Sequence, residues 1–136
     1  MPFPGIDSIQ ILPLDLLNNK EAQQWVDTAW KAFDGVDILI NNGGISQEGL
    51  ALETSTAVEQ KIMNINYFGN VALSKAVAPI MQQQKSGKIA VITSIAGKFG
   101  QAGLSSYSAS KHALYGFYDS FRLELKADNV TVLLVS

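Results

Sequence analysis

Three short runs of branched apolar residues restrict what this chain can fold into more than any other feature. They cover residues 36–40, 88–93 and 130–135, and segments with helical spacing of apolar residues separate them. Apolar strands of this kind are typical of parallel sheets, in which both faces are covered and helical crossovers join the strands. The sequence therefore predicts an α/β fold, a parallel sheet with flanking helices.

The segments around these runs predict the remaining elements. Residues 20–33 carry apolar side chains at spacings of three and four, which is typical of an amphipathic helix. Residues 53–84 continue such a pattern for longer, and we expect Pro79 to bend that helix just before the proline. A third helix, capped by Ser105 or Ser106, is predicted to run to about residue 126, and a further short strand is predicted over residues 8–13.

The composition is that of one globular domain. The 136 residues are 47% hydrophobic and 16% charged, with a net charge of −2 and no cysteine. This near-balanced charge, without a lysine or arginine cluster, argues against nucleic acid or an anionic membrane as the partner. No disulfide framework can form, and no run reaches transmembrane length. We expect a cytoplasmic location, or association with the endoplasmic reticulum if an N-terminal anchor precedes this chain.

Three polar residues are predicted to converge near the second apolar run. Tyr107 and Lys111 are four residues apart in a predicted helix, so their side chains would lie on one face, one turn apart. Ser94 ends the run 88–93, and ligand sites in open α/β sheets lie at the carboxyl ends of the strands. The sequence thus predicts a site that holds a phenol, an ammonium group and a hydroxyl.

This trio suits proton transfer at an oxygen atom. A phenol with an ordinary pKa near 10 is a poor acid or base at neutral pH. A cation about 4 Å away contributes roughly 4 kcal/mol at an effective dielectric constant of about 20, so Lys111 would favour the ionised form of Tyr107. The Ser94 hydroxyl could hold the reacting oxygen. The matching reaction is the interconversion of a carbonyl and an alcohol.

Four motifs in this order resemble the short-chain dehydrogenase/reductase family. They are Asn41-Asn42-Gly43-Gly44, Asn66-Tyr67-Phe68-Gly69, Ser94-Ile95-Ala96-Gly97 and Tyr107-Ser108-Ala109-Ser110-Lys111. The family consists of NAD(P)-dependent oxidoreductases with a Rossmann fold. The resemblance implies four catalytic residues, which are Asn66, Ser94, Tyr107 and Lys111.

The same resemblance implies a cofactor site. Its residues would be Asp15, Leu16, Asn42, Gly43 and Gly44, together with Tyr107 and Lys111. Asp15 would touch the adenine, although an N-cap for the next helix is the other interpretation of that residue. Asn66 would loosen its helix so that a main-chain carbonyl holds a water that relays protons through Lys111. The family usually has alanine where this chain has Gly44, a small departure that should preserve function.

Part of the usual family domain has no counterpart in this sequence. No strand, glycine-rich turn and helix of the kind that receives a pyrophosphate is present, so residues 1–136 would form a partial dinucleotide-binding and catalytic domain. The cofactor would be NADP or NAD, with NADP slightly favoured. Removal of the central strand of such a sheet would leave a gap or open edges. A non-catalytic binding or dimerising module is therefore the alternative function.

The resemblance also implies partners. The substrate would be a small lipophilic carbonyl or alcohol, and the two long helices would pair with those of other copies in a homodimer or homotetramer. Ser108 and Lys111 also fit a Ser-x-x-Lys pattern of acyl-transfer enzymes, but its companion motifs are absent. His112 has no second histidine or cysteine nearby, so we expect neither a metal ligand nor a base there.

Overall fold

The computed structural model describes residues 9–136. Seven regular helices and strands follow one another, joined by three 3-10 turns at Leu16–Glu21, Ile95–Gly97 and Lys126–Asp128 and a π-helical turn at Asn64–Gly69. The helices and strands are α1 (Ala22–Phe33), β1 (Ile38–Asn41), α2 (Thr56–Met63), α3 (Asn70–Gln84), β2 (Gly87–Ile92), α4 (Ser105–Leu125) and β3 (Val130–Val135).

The strands form a parallel sheet in the order β1-β2-β3, which confirms the predicted fold class. The register places Ala90 of β2 between Ile40 of β1 and Leu133 of β3. Each crossover contains a long helix, as parallel pairing requires. Because all three strands run the same way, the loops after them meet at one edge of the sheet.

Only one face of the described sheet is covered. Helices α1, α3 and α4 pack on the side to which Leu39, Ile89 and Val132 point, and Ile89 is fully buried there. On the other side Ile40 is 63% exposed and Leu133 56% exposed. Period-two alternation explains this division, since neighbouring residues of a strand point to opposite faces. These strands are thus apolar on both faces but covered on one.

The predicted strand at residues 8–13 is wrong for residues 9–13, and Ser8 lies outside the described residues. This segment has no regular structure, and Ile9 and Ile11 are 73% and 89% exposed. A strand is stabilised by main-chain hydrogen bonds to a neighbour, and a cavity separates this segment from the edge of β1. Apolar alternation alone therefore does not make these residues a strand.

The single helix predicted over residues 53–84 is divided in two. It begins at Thr56, and the π-helical turn Asn64–Gly69 interrupts it. Helix α3 continues through Pro79 without interruption, and the bend expected before that residue stays a prediction. Proline deprives only the carbonyl of Lys75 of its helical partner, and Lys75 is exposed to solvent that can hydrate it. Across residues 9–136, the structure has no helix with the length and hydropathy needed to cross a membrane.

Candidate active site

The predicted site residues gather where the strands end. Asn42 to Gly44 follow β1 directly, and Ser94 follows β2 after one intervening residue. Helix α4 passes beside these loops and contributes Tyr107 and Lys111 from its first two turns. The carboxyl edge of a parallel sheet is where open α/β folds hold their ligands. The structure therefore brings the predicted catalytic residues to an edge suited to binding.

Lys111 is held in place by the sheet. Its Nζ donates to the carbonyl oxygen of Ile92 at 2.9 Å and lies 5.7 Å from the centroid of the Tyr107 ring. The residue is 5% exposed, and burial lowers the pKa of its ammonium group from the ordinary value. Tyr107 is half-buried and precedes it by one helical turn. Phenol and ammonium thus face the same space, as the i, i+4 spacing predicted.

The Ser94 turn packs tightly against α4. Ser94 Oγ accepts a hydrogen bond from the Ala96 amide at 3.2 Å, which starts the 3-10 turn Ile95–Gly97. A Cβ atom added at Gly97 would lie 3.1 Å from the Cβ of Lys111 and 2.9 Å from the Tyr115 ring. Only glycine allows such an approach without movement of its neighbours. The turn therefore fixes Ser94 relative to Lys111.

Asn66 lies in the middle of the π-helical turn and is fully buried. Its side-chain oxygen accepts from the Ile45 amide at 2.8 Å, while its Nδ2 donates to the Ile45 carbonyl at 2.8 Å and to Ser110 Oγ at 3.0 Å. Helix loosening was predicted at this residue, and the π-helical turn is such a departure from α geometry. Asn66 thereby joins the loop after β1 to α4.

Asn70 is a site residue that sequence reasoning missed. Its Nδ2 donates to the carbonyl oxygens of Asn66 at 2.8 Å, Gly43 at 3.1 Å and Ile65 at 3.2 Å. The Asn66 carbonyl is a main-chain carbonyl of the kind predicted to hold the water that relays protons. A carbonyl oxygen has two lone pairs, so it can accept a second hydrogen bond besides the one from Asn70. The spacing of four residues from Asn66 was the signal that could have indicated this contact.

A second buried polar cluster supports the end of β1. Asn41 Nδ2 donates to Ser74 Oγ at 2.7 Å and to the Tyr118 hydroxyl at 3.2 Å, and Tyr118 donates to the Asn70 carbonyl at 3.0 Å. Burial raises the pKa of Tyr118, so its phenol stays protonated and keeps donating. The cluster ties β1, α3 and α4 together directly behind the site.

Of the predicted cofactor residues, Asp15 and Leu16 lie where the first 3-10 turn begins, next to the start of the loop after β1. Asp15 Oδ1 accepts from the Leu17 amide at 3.0 Å, so Asp15 is the N-cap of the first 3-10 turn. Leu16 is close to two glycines, since a Cβ added at Gly43 or at Gly69 would lie 2.6 Å or 2.7 Å from its side chain. Asn42 is exposed. The adenine contact predicted for Asp15 stays a prediction.

Gly44 lies close to both Asn66 and Lys111. A Cβ added there would approach Asn66 Oδ1 to 3.2 Å and Lys111 Nζ to 3.8 Å. The position at which this chain departs from the family pattern is thus in contact with two of the predicted catalytic residues. The glycine adds free space beside the Lys111 ammonium group.

His112 follows Lys111 but points away from this chemistry. It is exposed, and its Nδ1 lies 2.8 Å from the Ser108 carbonyl one turn earlier on α4. A carbonyl can only accept, so Nδ1 carries the proton in this contact. From residue 9 to the end of the chain, no three His, Cys, Asp or Glu side chains form a group that could hold a metal ion.

Comparison with known proteins identifies the class. The sequence model of a family described as short chain dehydrogenase matches residues 6–136. The Anopheles gambiae protein named dehydrogenase/reductase SDR family protein 7-like is 48% identical over 126 residues, which are 93% of this chain and 40% of that protein. The chain therefore belongs to the short-chain dehydrogenase family, as its motifs predicted. It spans 33–40% of the length of curated relatives such as this one.

Solved structures agree with this assignment. ElxO with NADP bound superposes with a TM-score of 0.90 at 29% identity, covering 94% of this chain and 52% of ElxO. A short-chain dehydrogenase/reductase from Burkholderia phymatum in complex with NAD gives 0.86 at 28% identity, covering 90% of this chain and 45% of that protein. The Rossmann-like fold is thus confirmed for the part of the domain that this chain covers, about half of each of these two structures.

Proposed function

We propose that this chain carries the catalytic half of an NAD(P)(H)-dependent oxidoreductase that interconverts an alcohol and a carbonyl. The observation that carries the proposal is the placement of Tyr107 and Lys111 on one face of α4, beside the Ser94 turn at the carboxyl edge of the sheet. Membership of a dehydrogenase family supports the reaction class. The substrate we propose is a small lipophilic carbonyl or alcohol.

Each residue has a distinct role in this proposal. The Tyr107 hydroxyl passes a proton to or from the substrate oxygen, and the Ser94 hydroxyl holds that oxygen by a hydrogen bond. Lys111 presents a buried positive charge near the Tyr107 ring and stabilises the phenolate when the proton leaves. Asn66 keeps the π-helical turn in contact with α4 through Ser110. The water relay from this turn to Lys111 is part of the proposal.

The residues present fit part of a dinucleotide. Gly43 and Gly44 expose main chain at the end of β1, and Gly44 lies close to Lys111 Nζ, so a ribose could be held between that loop and α4. Asp15 and Asn42 are exposed and available to the adenosine part. The cofactor, NADP or NAD, would supply or accept the hydride. The described residues include no glycine-rich turn that leads from a strand into a helix.

A non-catalytic binding or dimerising module is the second candidate. The observation that favours it is the incomplete sheet, whose described part has three strands and an uncovered face. Titration of the 136-residue chain with NADP and NAD separates the two functions. Binding accompanied by turnover supports the enzyme, whereas a folded chain that binds neither nucleotide supports the module.

The catalytic assignment is tested by Tyr107→Phe, which removes only the hydroxyl. We expect loss of turnover with nearly unchanged folding when this chain is joined to the strand, glycine-rich turn and helix of a complete family domain, because the ring remains while the proton carrier is lost. Tyr67→Phe is the matched control, since it removes a phenol hydroxyl outside the proposed machinery. Retention of a tenth of the activity in Tyr107→Phe would rule out the proposed role.

A further inference from the structure

Tyr115 of α4 contacts the Ser94 turn at both of its ends. Its hydroxyl lies 3.0 Å from Oγ1 of Thr93, the residue that directly precedes Ser94. A Cβ atom added at Gly97, where the 3-10 turn ends, would lie 2.9 Å from the Tyr115 ring. Ser94 therefore lies between two residues that are both in contact with one side chain of α4.

Thr93 is a firm attachment point because the sheet fixes it. It is 5% exposed, and its amide donates to the Val135 carbonyl at 2.7 Å. Its hydroxyl donates to the same carbonyl at 2.8 Å, which uses its one proton. The Tyr115 hydroxyl is therefore the donor in its bond to Thr93, and this bond joins α4 to the end of the sheet.

The contacts of α4 with the end of β2 follow the order of the chain. Lys111 Nζ donates to the Ile92 carbonyl at 2.9 Å, and Tyr115, one helical turn later, bonds the next residue, Thr93. Tyr107 precedes Lys111 by the same spacing of four, so all three side chains lie on one side of the helix. The side of α4 that carries the proposed proton carrier thus also holds the end of β2.

A cation holds the Tyr115 ring on its other side. Lys98 directly follows the 3-10 turn, and its Nζ lies 5.6 Å from the centroid of the ring. An ammonium group over an aromatic ring is attracted by the negative face of the ring. Tyr115 thus has a hydrogen bond to the residue before Ser94 and ring contacts with the residues after it.

We propose that Tyr115 is a positioning residue, which sets where the Ser94 hydroxyl lies relative to the Tyr107 hydroxyl and so aligns the substrate oxygen for proton transfer. Ser94 Oγ accepts from the Ala96 amide at 3.2 Å, so its own proton can be donated to the substrate. Such a donor stabilises the transition state only at the right place, and a displacement of about 1 Å can cost roughly a hundredfold in rate. This inference rests on the proposed function.

The first measurement is the turnover of Tyr115→Phe in the same joined protein as Tyr107→Phe. The probes are benzaldehyde, acetophenone and phenanthrenequinone with NADPH, and the one that the parent reduces fastest is used. The variant keeps the ring but loses the hydrogen bond to Thr93. We expect kcat to fall about tenfold with KM nearly unchanged, because alignment matters most in the transition state. Tyr67→Phe is again the control and should keep the kcat of the parent.

Combined variants distinguish an effect through Ser94 from a purely structural one. Ser94→Ala has no hydroxyl left to position, so Tyr115→Phe should lower kcat by less than about twofold in that background. Loss of general support for the fold would lower kcat by the same factor in both backgrounds. Thr93→Val tests the hydrogen bond from its other end and should match Tyr115→Phe, whereas Thr93→Ser keeps the hydroxyl and should match the parent.

Hydrogen exchange tests the positioning without substrate. The Gly97 amide donates to the Ser94 carbonyl at 2.9 Å, so its exchange rate reports the order of the Ser94 turn. We expect this rate to rise roughly tenfold or more in Tyr115→Phe and Thr93→Val but not in Tyr67→Phe, while the amides between β2 and β3 stay protected. Protection in that ladder also shows that each variant is folded.

Three outcomes would overturn this inference and leave the proposed function intact. They are a folded Tyr115→Phe with the kcat of the parent, an equal loss of kcat with and without the Ser94 hydroxyl, and a Thr93→Ser variant as impaired as Thr93→Val. A parent that reduces none of the three probes, or a Ser94→Ala variant as active as the parent, would overturn the proposed function and this inference with it.

Discussion

At the scale of single residues, the charge that Lys111 contributes to the proposed catalysis conflicts with the stability of the fold. Its ammonium group is buried and has one described hydrogen-bond acceptor, the Ile92 carbonyl at 2.9 Å. Burial lowers its pKa, which means that the folded state binds the proton less tightly than the unfolded chain does. The charge proposed to stabilise the Tyr107 phenolate therefore reduces the stability of the fold. A trade-off between stability and activity of this kind is typical of functional residues.

We predict that Lys111→Met is at least as stable as the parent at neutral pH, although the proposed catalysis is lost. The penalty of the buried charge is fully present below the folded-state pKa, where both states are protonated. It falls as the pH rises from that pKa toward about 10.4, because only the unfolded chain still binds the proton there. The difference in the free energy of unfolding between Lys111→Met and the parent should therefore become smaller across this pH range.

Urea unfolding of both proteins at a series of pH values measures that gap. Lys75→Met is the control, because it makes the same exchange at an exposed position on α3. A gap that widens with rising pH, or a Lys111→Met chain that is several kcal/mol less stable than the parent, would contradict this account of the site.

Local spacing determined which site residues could be predicted. Tyr107 and Lys111 lie one helical turn apart, so their relation needs no knowledge of the rest of the fold. The contacts of Asn66 with Ile45 and Ser110 join residues 21 and 44 positions apart. Such contacts depend on how the helices cross the sheet, which the sequence pattern did not define. The roles assigned to these residues stay predictions.

At the scale of elements, the π-helical turn is held by close packing against the first 3-10 turn. A Cβ added at Gly69 would lie 2.7 Å from both the Cβ and the carbonyl oxygen of Leu16. The second of these is a main-chain atom, which cannot rotate away. Gly69 is therefore required where the π-helical turn meets Leu16, the residue that also contacts Gly43.

We predict opposite effects of two helical glycine-to-alanine changes. Gly69→Ala should destabilise the chain by about 1–3 kcal/mol, because backbone must move to admit the methyl group. Gly116→Ala, on α4 with nothing within 4 Å of the added Cβ, should stabilise it by roughly 0.5–1 kcal/mol through higher helix propensity. Thermal unfolding of both variants checks the pair, and a stabilised Gly69→Ala would show that the described contact with Leu16 is not close.

The elements themselves were predictable where their partners lie within this chain. The runs at 88–93 and 130–135 become strands within one residue of the prediction, since each finds a parallel neighbour. Residues 9–13 have a comparable pattern but form no strand. Periodicity reports which faces can be buried, whereas strand formation also requires main-chain partners. The missing partner, not a wrong pattern, explains the error.

At the scale of the whole molecule, large apolar side chains remain exposed on two surfaces. On the helical side Phe68 is 49% exposed and Leu123 of α4 is 74% exposed. On the bare face of the sheet Ile40 and Leu133 are more than half exposed. Exposed apolar patches are typical of surfaces that meet another molecule. The helical side is the one through which family resemblance predicted pairing of copies.

We predict association of this chain through α3 and α4. Leu123→Glu should reduce the association because it places a charge among apolar residues of the helical surface, whereas Leu133→Glu on the sheet should leave it intact. Sedimentation at micromolar concentrations measures both variants. A purely monomeric parent chain, or association that only Leu133→Glu abolishes, would exclude the helical interface.

The incomplete sheet leads to the last prediction, which is that the 136-residue chain alone binds NADP or NAD weakly and is marginally stable. The edge of β1 borders a cavity where a further strand could pair, and one sheet face is open to solvent, so less apolar area is buried than in a complete α/β domain. A pyrophosphate would also lack the helix N-terminus whose dipole contributes roughly 0.3 to 2 kcal/mol, before lost hydrogen bonds are counted.

Calorimetry of the purified chain with each nucleotide decides this prediction. We expect no saturable heat at micromolar chain concentrations and a broad, low-temperature melt. A micromolar dissociation constant for NADP or NAD together with a cooperative melt would show that the three described strands suffice for the cofactor site, and that the free edge of β1 costs the fold little.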